Sequence, residues 1–404
     1  MSKATCCRCG YRSTFFALFL ALTLTAPRAG TQTPGTPGAT ELETLPVIKE
    51  LPDPFLMNNG RRVSNRQDWL KRREEIAETL LRYEYGHLAP SPGESSAVEL
   101  SAKKAEDIEA NEKQLSVSVG GSQKLSFRLI LTIPSGKGPF PVVVKGDLCW
   151  GRIPPSILAS AVRRGYIVAE FDRTEFAPDG ADRSKGVYPL YPDNDWAALA
   201  GWAWGYHRTV DFLFTQAYVD KKRVAITGHS RGGKAALLAG ALDERVALTA
   251  PNGSGCGGGG CFRVQGEKSE DIGAITGRFP YWFHPRLALF VAHVEQLPFD
   301  QHFLKALVAP RALLGTEALG DLWANPLGSQ VSHTAAREVY RFLGAENRIG
   351  IHFRAGKHEQ NVEDWNVLMD FADAQFFGRM GGTRFDRLAF SDAPVAFTWR
   401  APAP

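Results

Sequence analysis

A serine flanked by glycines stands where a short apolar run meets a helix-forming run. Val224–Ile226 leads into Gly228, Ser230 and Gly232, and the helix-forming run Ala235–Leu242 follows directly. Strand, sharp turn and helix around Gly-x-Ser-x-Gly are typical of a nucleophile elbow, in which the serine hydroxyl is exposed above a parallel sheet. Glycines suit both flanks because a β-carbon there would clash where strand and helix cross. A chance match in a glycine-rich chain is the alternative, and the flanking elements favour the nucleophile.

A serine nucleophile requires a base, and a third group must orient that base. In this type of fold the chain order is serine, then an acid, then histidine, with the last two on loops after late strands. His358 stands just past the last predicted strand and fits the general base. His302 and His333 also follow the serine, but in helical contexts, and His352 lies inside a predicted strand.

Two carboxylates compete for the role of the orienting acid. The loop 315–323 follows the penultimate predicted strand and contains Glu317 and Asp321. We favour Asp321 because it lies deep enough in the loop to reach the base, whereas Glu317 is close to the end of the strand. The other carboxylate would then be an ordinary helix N-cap or a loop-bracing group.

Acyl transfer also requires hydrogen-bond donors at the developing oxyanion. The backbone N–H of Arg231 is one such donor by the geometry of the elbow. Its guanidinium is a candidate for a second, and Lys234, one helical turn after the serine, faces the same opening. Two cations beside a nucleophile favour a substrate with a polar or acidic group near its ester. The alternative for both residues is solvated charge on a helix surface.

The remaining pattern indicates how these residues are positioned. Short apolar runs alternate with helical patterns around the serine, which predicts an α/β-hydrolase fold with a doubly wound, mostly parallel sheet in a three-layer αβα sandwich. In the helix before the elbow, we interpret three aromatic residues as part of the core: Trp202, Trp204 and Tyr206. The predicted helices are Trp69–Tyr85, Trp196–Phe214, Ala235–Leu242 and Thr334–Phe342, and the predicted strands are Gln114–Val119, Leu125–Ile133, Pro141–Lys145, Tyr166–Phe171, Val224–Ile226, Val246–Ala250, Ala312–Leu314 and Arg348–Phe353.

The N-terminus resembles a secretory signal. Lys3, Arg8 and Arg12 precede the apolar run Phe15–Leu24, which is too short to span a bilayer, and small residues follow it. We expect a signal peptide over 1–29, a flexible leader over 30–44, and a single catalytic domain with an N-terminal extension over 45–404. The chain would then be secreted or periplasmic, without membrane association after removal of the signal. A retained N-terminal anchor is the alternative.

Composition excludes several classes of partner. The chain has 404 residues, is 44% hydrophobic and carries a formal charge of +4, and the four basic residues of the expected signal account for that whole excess. A formally neutral mature chain gives no electrostatic case for nucleic acid. Cys149, Cys256 and Cys261 remain after signal removal, so at most one disulfide forms within the chain. No cysteine and histidine spacing resembles a zinc site. We expect no metal, no cofactor and a monomer.

Taken together, these motifs resemble those of the glucuronoyl esterases, carbohydrate esterase family 15, over about residues 45–380. Members of that family cleave the ester between 4-O-methyl-glucuronic acid on xylan and lignin alcohols. The Ser-Arg-x-Gly-Lys run is more specific than the elbow alone. The matching motifs are Gly228 to Lys234, Asn252 to Gly258, Asp321 to Pro326, Gly356 to His358, and Asp364 with Trp365.

The resemblance implies roles for individual residues. Ser230 would be the nucleophile, His358 the base and Arg231 an oxyanion stabiliser. The sugar hydroxyls would be bound by Lys234, Glu267 and Trp323. This chain has Gly253 where many members carry a glutamate in the loop after the strand that follows the elbow helix. That departure leaves the acid role to Asp321, which matches the Asp-x-Trp pattern of the family.

Two other functions stay open at this stage. An acetyl-xylan esterase or another carbohydrate esterase of the same fold would not need cations beside the ester. A catalytically inactive binding module would not need an intact pair of Ser230 and His358. Activity on acetylated xylan alone would favour the first, and failure of Ser230 to react with a fluorophosphonate would favour the second.

Overall fold

A computed structural model describes residues 42–120, 124–379 and 381–403 of the chain. The predicted signal peptide, 1–29, and all but the last three residues of the predicted leader, 30–44, lie outside the described residues. Within the described ranges, none of the helices combines the length and the apolar character that crossing a bilayer requires.

One sheet of nine strands runs through the described part of the chain. Its spatial order is β1-β2-β3-β5-β4-β6-β7-β8-β9. β1 to β3 pair antiparallel and β3 pairs antiparallel with β5, whereas the six strands from β5 to β9 are all parallel. The strands are β1 (Ser95–Ala105), β2 (Ala110–Val119), β3 (Leu125–Pro134), β4 (Phe140–Lys145), β5 (Ile167–Phe171), β6 (Val219–His229), β7 (Leu248–Asn252), β8 (Ala312–Ala318) and β9 (Ile349–Arg354).

Helices cover both faces of the parallel part. A π-helical turn, Leu81–Tyr85, continues the first helix. The helices used below are α1 (Arg66–Leu80), α2 (Pro155–Arg163), α3 (Ala198–Phe214), α4 (Arg231–Leu242), α5 (Ile272–Arg278), α6 (Gln301–Val308), α7 (Pro326–Phe342) and α8 (Val362–Phe377). The predicted doubly wound, mostly parallel sheet between layers of helices is therefore confirmed.

The apolar strands form these layers because successive side chains point to opposite faces. In β4, Val142 and Val144 join the larger core cluster, whereas Val143 between them joins the cluster on the other face. Helix α3 is almost entirely buried, and Trp202, Trp204 and Tyr206 are core residues, as predicted.

The antiparallel extension was only partly predicted. β2 and β3 form the expected antiparallel pair. β1 was missed because nearly all of its side chains are exposed, so the sequence lacks the alternation that marks a half-buried strand. Helix α8 was also missed, although its start carries a capping box formed by Asn361 and Asp364.

Candidate active site

The carboxyl ends of β6, β7, β8 and β9 meet at one edge of the sheet, and the predicted catalytic residues follow three of these strands. Ser230 comes directly after β6 with φ 55° and ψ −123°, a left-handed conformation that is strained for a serine. A β-carbon on Gly228 would fall on the carbonyl oxygen of Gly232, so the tight crossing of β6 and α4 needs these glycines. The sharp turn leaves the serine side chain at the opening above the sheet.

The structure brings three of the predicted side chains into one hydrogen-bonded chain. Ser230 Oγ lies 2.8 Å from His358 Nε2, and His358 Nδ1 lies 2.5 Å from Asp321 Oδ2. Asp321 is buried, whereas the imidazole is partly exposed to the cavity. In this order the carboxylate holds a proton on Nδ1 and leaves Nε2 free to accept the proton of the serine hydroxyl.

Backbone contacts between two loops set the distance between acid and base. The loop after β8 donates from Leu319 N to Arg354 O at 2.8 Å and from Gly320 N to Gly356 O at 2.9 Å. Arg354 is buried and braces the histidine loop by donating to Glu359 O at 2.6 Å, while its Nε donates to Asp364 Oδ2 of α8 at 2.9 Å. These bonds align the two loops side by side, so the carboxylate and the imidazole face each other.

The other candidate acid lies elsewhere. Glu317 is inside β8 and is buried beside Lys305. Burial raises the pKa of Glu317 and lowers the pKa of Lys305, and the attraction between the two charges opposes both shifts. The geometry therefore gives Glu317 a structural partner within the core and leaves Asp321 as the carboxylate in contact with the histidine.

A second histidine packs against the first. The rings of His229 and His358 are 4.5 Å apart between centroids, and His229 Nδ1 lies 2.6 Å from Asn252 Oδ1. Burial, with the neighbouring His358, lowers the pKa of His229 to about 4. His229 is consequently neutral near pH 7 and adds no positive charge beside the candidate base.

A cavity of about 160 Å³ opens directly at the serine. Among the residues that line it, cationic side chains outnumber carboxylates, which suits a reaction that develops negative charge. The lining residues are Ser230, Arg231, Lys234, Gly253, Ser254, Gly255, Glu270, Arg278, Phe279, Trp282, Trp323, Ala324 and His358.

Lys234 and Arg231 reach this cavity in different ways. Lys234 is buried, its Nζ donates to Ser254 O and to Cys256 O at 2.6 Å each, and burial lowers its pKa. Two of the three ammonium protons are thereby used on the glycine-rich loop, which leaves one for a ligand. The Arg231 side chain lies at the rim and pairs with Asp179.

The structure separates two neighbouring glutamates that the sequence did not distinguish. Glu267 is exposed, pairs with Lys268 at 3.4 Å and does not line the cavity, in contrast to the expectation from the resemblance. Glu270 does line it, is buried, and donates its backbone N–H to Trp323 O at 3.0 Å. Burial raises the pKa of the Glu270 carboxyl, and the nearby Lys234 opposes that shift.

Sequence reasoning also missed the carboxylates that follow β4 and β5. Asp147 is buried, accepts from His229 N at 2.9 Å, and pairs at 2.5 Å with the fully buried Arg173. Asp179 follows β5 and pairs with Arg231. Their positions after the carboxyl ends of parallel strands were the available signal, since ligand sites collect at that edge.

Among the described residues, no group of three or more His, Cys, Asp or Glu side chains is placed to hold a metal ion. Cys149, Cys256 and Cys261 are free thiols. Burial raises the pKa of Cys149 to about 12, so its thiol stays protonated and is a poor nucleophile near pH 7.

Comparisons with known proteins converge on one family. The family model described as glucuronyl esterase, fungi, matches residues 115–344. A 4-O-methyl-glucuronoyl methylesterase of Podospora anserina is 37% identical over 319 residues, which are 76% of this chain and 63% of that protein. The chain thus spans somewhat under two thirds of that relative's length.

Solved structures extend the likeness to the fold. A carbohydrate esterase family 15 glucuronoyl esterase from Caldicellulosiruptor kristjansonii superimposes with a TM-score of 0.76 at 33% identity, covering 89% of this chain and 99% of that one. A glucuronoyl esterase variant from Sporotrichum thermophile, in complex with methyl 4-O-methyl-β-D-glucopyranuronate, gives a TM-score of 0.69 at 29% identity, covering 83% and 89%. The α/β-hydrolase fold expected from the sequence is the fold of this chain.

Proposed function

The chain belongs to the glucuronyl esterase family, and we propose that it is a secreted serine esterase that cleaves the ester between a (4-O-methyl-)glucuronic acid and an alcohol. Its natural substrate would be the ester that joins glucuronoxylan to lignin alcohols. The observation that carries the proposal is the chain of hydrogen bonds from Ser230 through His358 to Asp321, at the mouth of a cavity that Arg231 and Lys234 also line. Secretion rests on the sequence of residues 1–29.

The acylation step follows from this geometry. His358 Nε2, 2.8 Å from Ser230 Oγ, takes the hydroxyl proton as the oxygen attacks the carbonyl carbon of the ester. Asp321 stabilises the imidazolium that forms. The alcohol leaves with that proton, and the glucuronoyl group stays on the serine as an acyl-enzyme.

The negative charge on the tetrahedral intermediate meets donors that are already in place. The N–H of Arg231 is at the first position of α4, where backbone N–H groups lack intrahelical partners. The Arg231 guanidinium lines the same cavity and provides a positive charge. Deacylation repeats the sequence with water as the nucleophile and His358 as the base.

The sugar ring would occupy the part of the cavity beyond the serine. Lys234 offers one remaining N–H, and the carboxylate of Glu270 is an acceptor for hydroxyl groups. Trp323 lines the cavity and is about half exposed, so its ring can cover an apolar face of a sugar. In this assignment Glu270 takes the role that the sequence gave to Glu267.

The test is a comparison of two ester types. We expect turnover of benzyl glucuronate to exceed that of an acetylated xylose by about 10² or more in kcat/KM, because the cavity's polar groups would lack partners with the acetyl ester. Ser230→Ala is the control for non-enzymatic hydrolysis. Hydrolysis of acetylated xylose without hydrolysis of benzyl glucuronate would replace the proposal by a carbohydrate acetyl esterase. Failure of a fluorophosphonate to label Ser230 would instead favour a binding module.

A further inference from the structure

Arg231 can stabilise an oxyanion only if its long side chain is held in one orientation before the reaction. A free arginine side chain loses about 2 kcal/mol of rotamer entropy when it is fixed. The contacts around the guanidinium therefore bear on how well it acts. The closest of them come from two loops outside the catalytic triad, one after β5 and one after α5. A more distant contact is the Trp150 ring after β4, whose centroid lies 5.7 Å from the guanidinium carbon.

Asp179 binds both the arginine and an aromatic ring. Its Oδ2 accepts from Arg231 Nη1 at 2.7 Å, and its Oδ1 accepts from Trp282 Nε1 at 2.8 Å. The Arg231 guanidinium carbon lies 4.5 Å from the centroid of the Trp282 ring and 5.2 Å from that of Phe279. The same guanidinium thus has a carboxylate at its edge and aromatic rings beside it.

Both loops are fixed to the core, so this contact has a defined position. Two residues before Asp179, the buried Ala177 accepts from Trp202 Nε1 at 2.7 Å. Trp282 is buried and stacks on Phe279 at 3.8 Å with the ring planes 6° apart. A carboxylate with one oxygen on each partner cannot rotate without breaking a hydrogen bond.

The rest of the guanidinium remains available to a ligand. Nη1 is committed to Asp179 and Nε is buried, whereas Nη2 makes no hydrogen bond among the described residues and belongs to a partly exposed side chain. Arg231 lines the cavity with Ser230 and His358. An unpaired N–H of a charged group in such a place is a donor prepared for an acceptor that arrives with the substrate.

We propose that Asp179 is a positioning residue, which, with Trp282, orients the Arg231 guanidinium toward the oxyanion formed at Ser230. The inference rests on the proposed function for the identity of the ester. Asp179 does not line the cavity and acts through Arg231, which does. Its loss should therefore lower kcat and leave KM nearly unchanged, because the oxyanion exists only in the transition state and the intermediate.

The first variant is Asp179→Asn, which keeps size and shape but can accept only with one atom. We expect kcat for benzyl glucuronate to fall by about ten- to a hundredfold, the scale of one charge-assisted hydrogen bond. Asp179→Glu retains both oxygens and should recover part of the loss. Asp220→Asn is the matched control, since Asp220 pairs with Arg223 at 2.8 Å away from the cavity, and its kcat should equal that of the wild type.

A double-mutant cycle separates positioning from a general structural effect. In an Arg231→Ala background, Asp179→Asn should cause no further loss of kcat, because the group that it positions is gone. Wild-type kcat in Asp179→Asn, or an equal further loss in the Arg231→Ala background, would overturn the proposal. If Asp179→Asn does not fold by its thermal melt, the cycle is run with Asp179→Ala, which removes both carboxylate oxygens, and the same two outcomes decide.

The two proposals fail in different ways. If the wild type hydrolyses no glucuronate ester, the proposed function is wrong, and the cycle is repeated with whichever ester the wild type does hydrolyse. If the wild type is active on benzyl glucuronate but Asp179→Asn matches it in kcat, only the positioning role is wrong.

Discussion

Replacing Asp321 by asparagine isolates the charge of the orienting acid from its size. The carboxylate lies 2.5 Å from His358 Nδ1 and is buried, so the asparagine side chain fits the same space. An amide nitrogen at that position donates to Nδ1 and shifts the imidazole proton to Nε2. Nε2 lies 2.8 Å from Ser230 Oγ. In that tautomer Nε2 already carries a proton, so the ring cannot accept the proton of the serine hydroxyl.

The size of the loss follows from two contributions. Attraction between a carboxylate and an imidazolium about 4 Å apart between charge centres is worth about 4 kcal/mol at an effective dielectric constant of about 20. Loss of that attraction in the transition state corresponds to about 10³ in kcat. The wrong tautomer adds to this, so we expect a fall of about 10³ to 10⁴ in kcat with KM nearly unchanged.

Glu317→Gln is the matched control, and the structure predicts an opposite pattern for it. Glu317 is buried beside Lys305, and its loss leaves a buried cation without a counter-charge. Its thermal melting temperature should fall, while kcat for benzyl glucuronate stays within a fewfold of wild type. If Glu317→Gln abolishes turnover while Asp321→Asn stays near wild type, the assignment of the acid is wrong.

A rescue variant tests whether the acid can come from the loop after β7. A β-carbon on Gly253 would lie 3.6 Å from Asp321 Oδ2. The side chain of a glutamate at position 253 would therefore begin beside the place that the Asp321 carboxylate occupies in the wild type. Gly253 has φ 49°, a conformation that costs a non-glycine residue about 1–2 kcal/mol. We therefore expect Gly253→Glu to restore part of the activity of Asp321→Asn, with a lower melting temperature. No recovery in a folded double variant would show that this loop cannot replace Asp321.

Three further predictions follow from the same contacts. Ser230→Ala and His358→Ala should each lower kcat by about 10⁴ to 10⁶, and the double variant should be little worse; multiplying losses would show that they do not act as one unit. Arg231→Ala should lower kcat by about 10² to 10³ with little change in KM, and an effect on KM alone would make it a binding residue. His302 is fully buried and its burial lowers its pKa to about 4, against about 6.5 when unfolded, so the unfolded state binds its proton first as pH falls. Stability should therefore decline by about 3 kcal/mol between pH 6.5 and 4, and urea unfolding of His302→Gln should show a flatter pH dependence. An identical slope in that variant would refute the assignment.

The catalytic elbow was predictable because its signals are local. Glycine at 228 and 232 and the change from an apolar run to a helix former all fall within a few residues of Ser230. The chain order of acid and base then limited the choice to His358 and two carboxylates. The same reasoning could not choose firmly between those carboxylates, because the choice depends on hydrogen bonds between the loops after β8 and β9.

The residues that the sequence missed depend on contacts distant in the chain. Asp179 meets Arg231 across 52 positions, and no local pattern marks that pairing. Glu270 and Glu267 differ by three positions in an irregular loop, and only the folded loop decides which carboxylate is buried in the cavity. β1 could not be predicted from the sequence, because an exposed edge strand needs no alternation of apolar and polar residues.

The strained serine shows how the surrounding groups hold the elbow in place. A left-handed non-glycine residue costs on the order of 1–3 kcal/mol, so the conformation persists only if neighbouring contacts fix it. Here Ser230 N donates to Asn252 O at 2.9 Å and the preceding His229 N donates to Asp147 Oδ2 at 2.9 Å. The fully buried Arg173 donates to the other oxygen of Asp147 at 2.5 Å and so fixes that carboxylate in place. The nucleophile is thus held from the two strands beside β6, namely β4 and β7, while its base and its acid arrive on separate loops. That division lets the loops vary around a fixed serine.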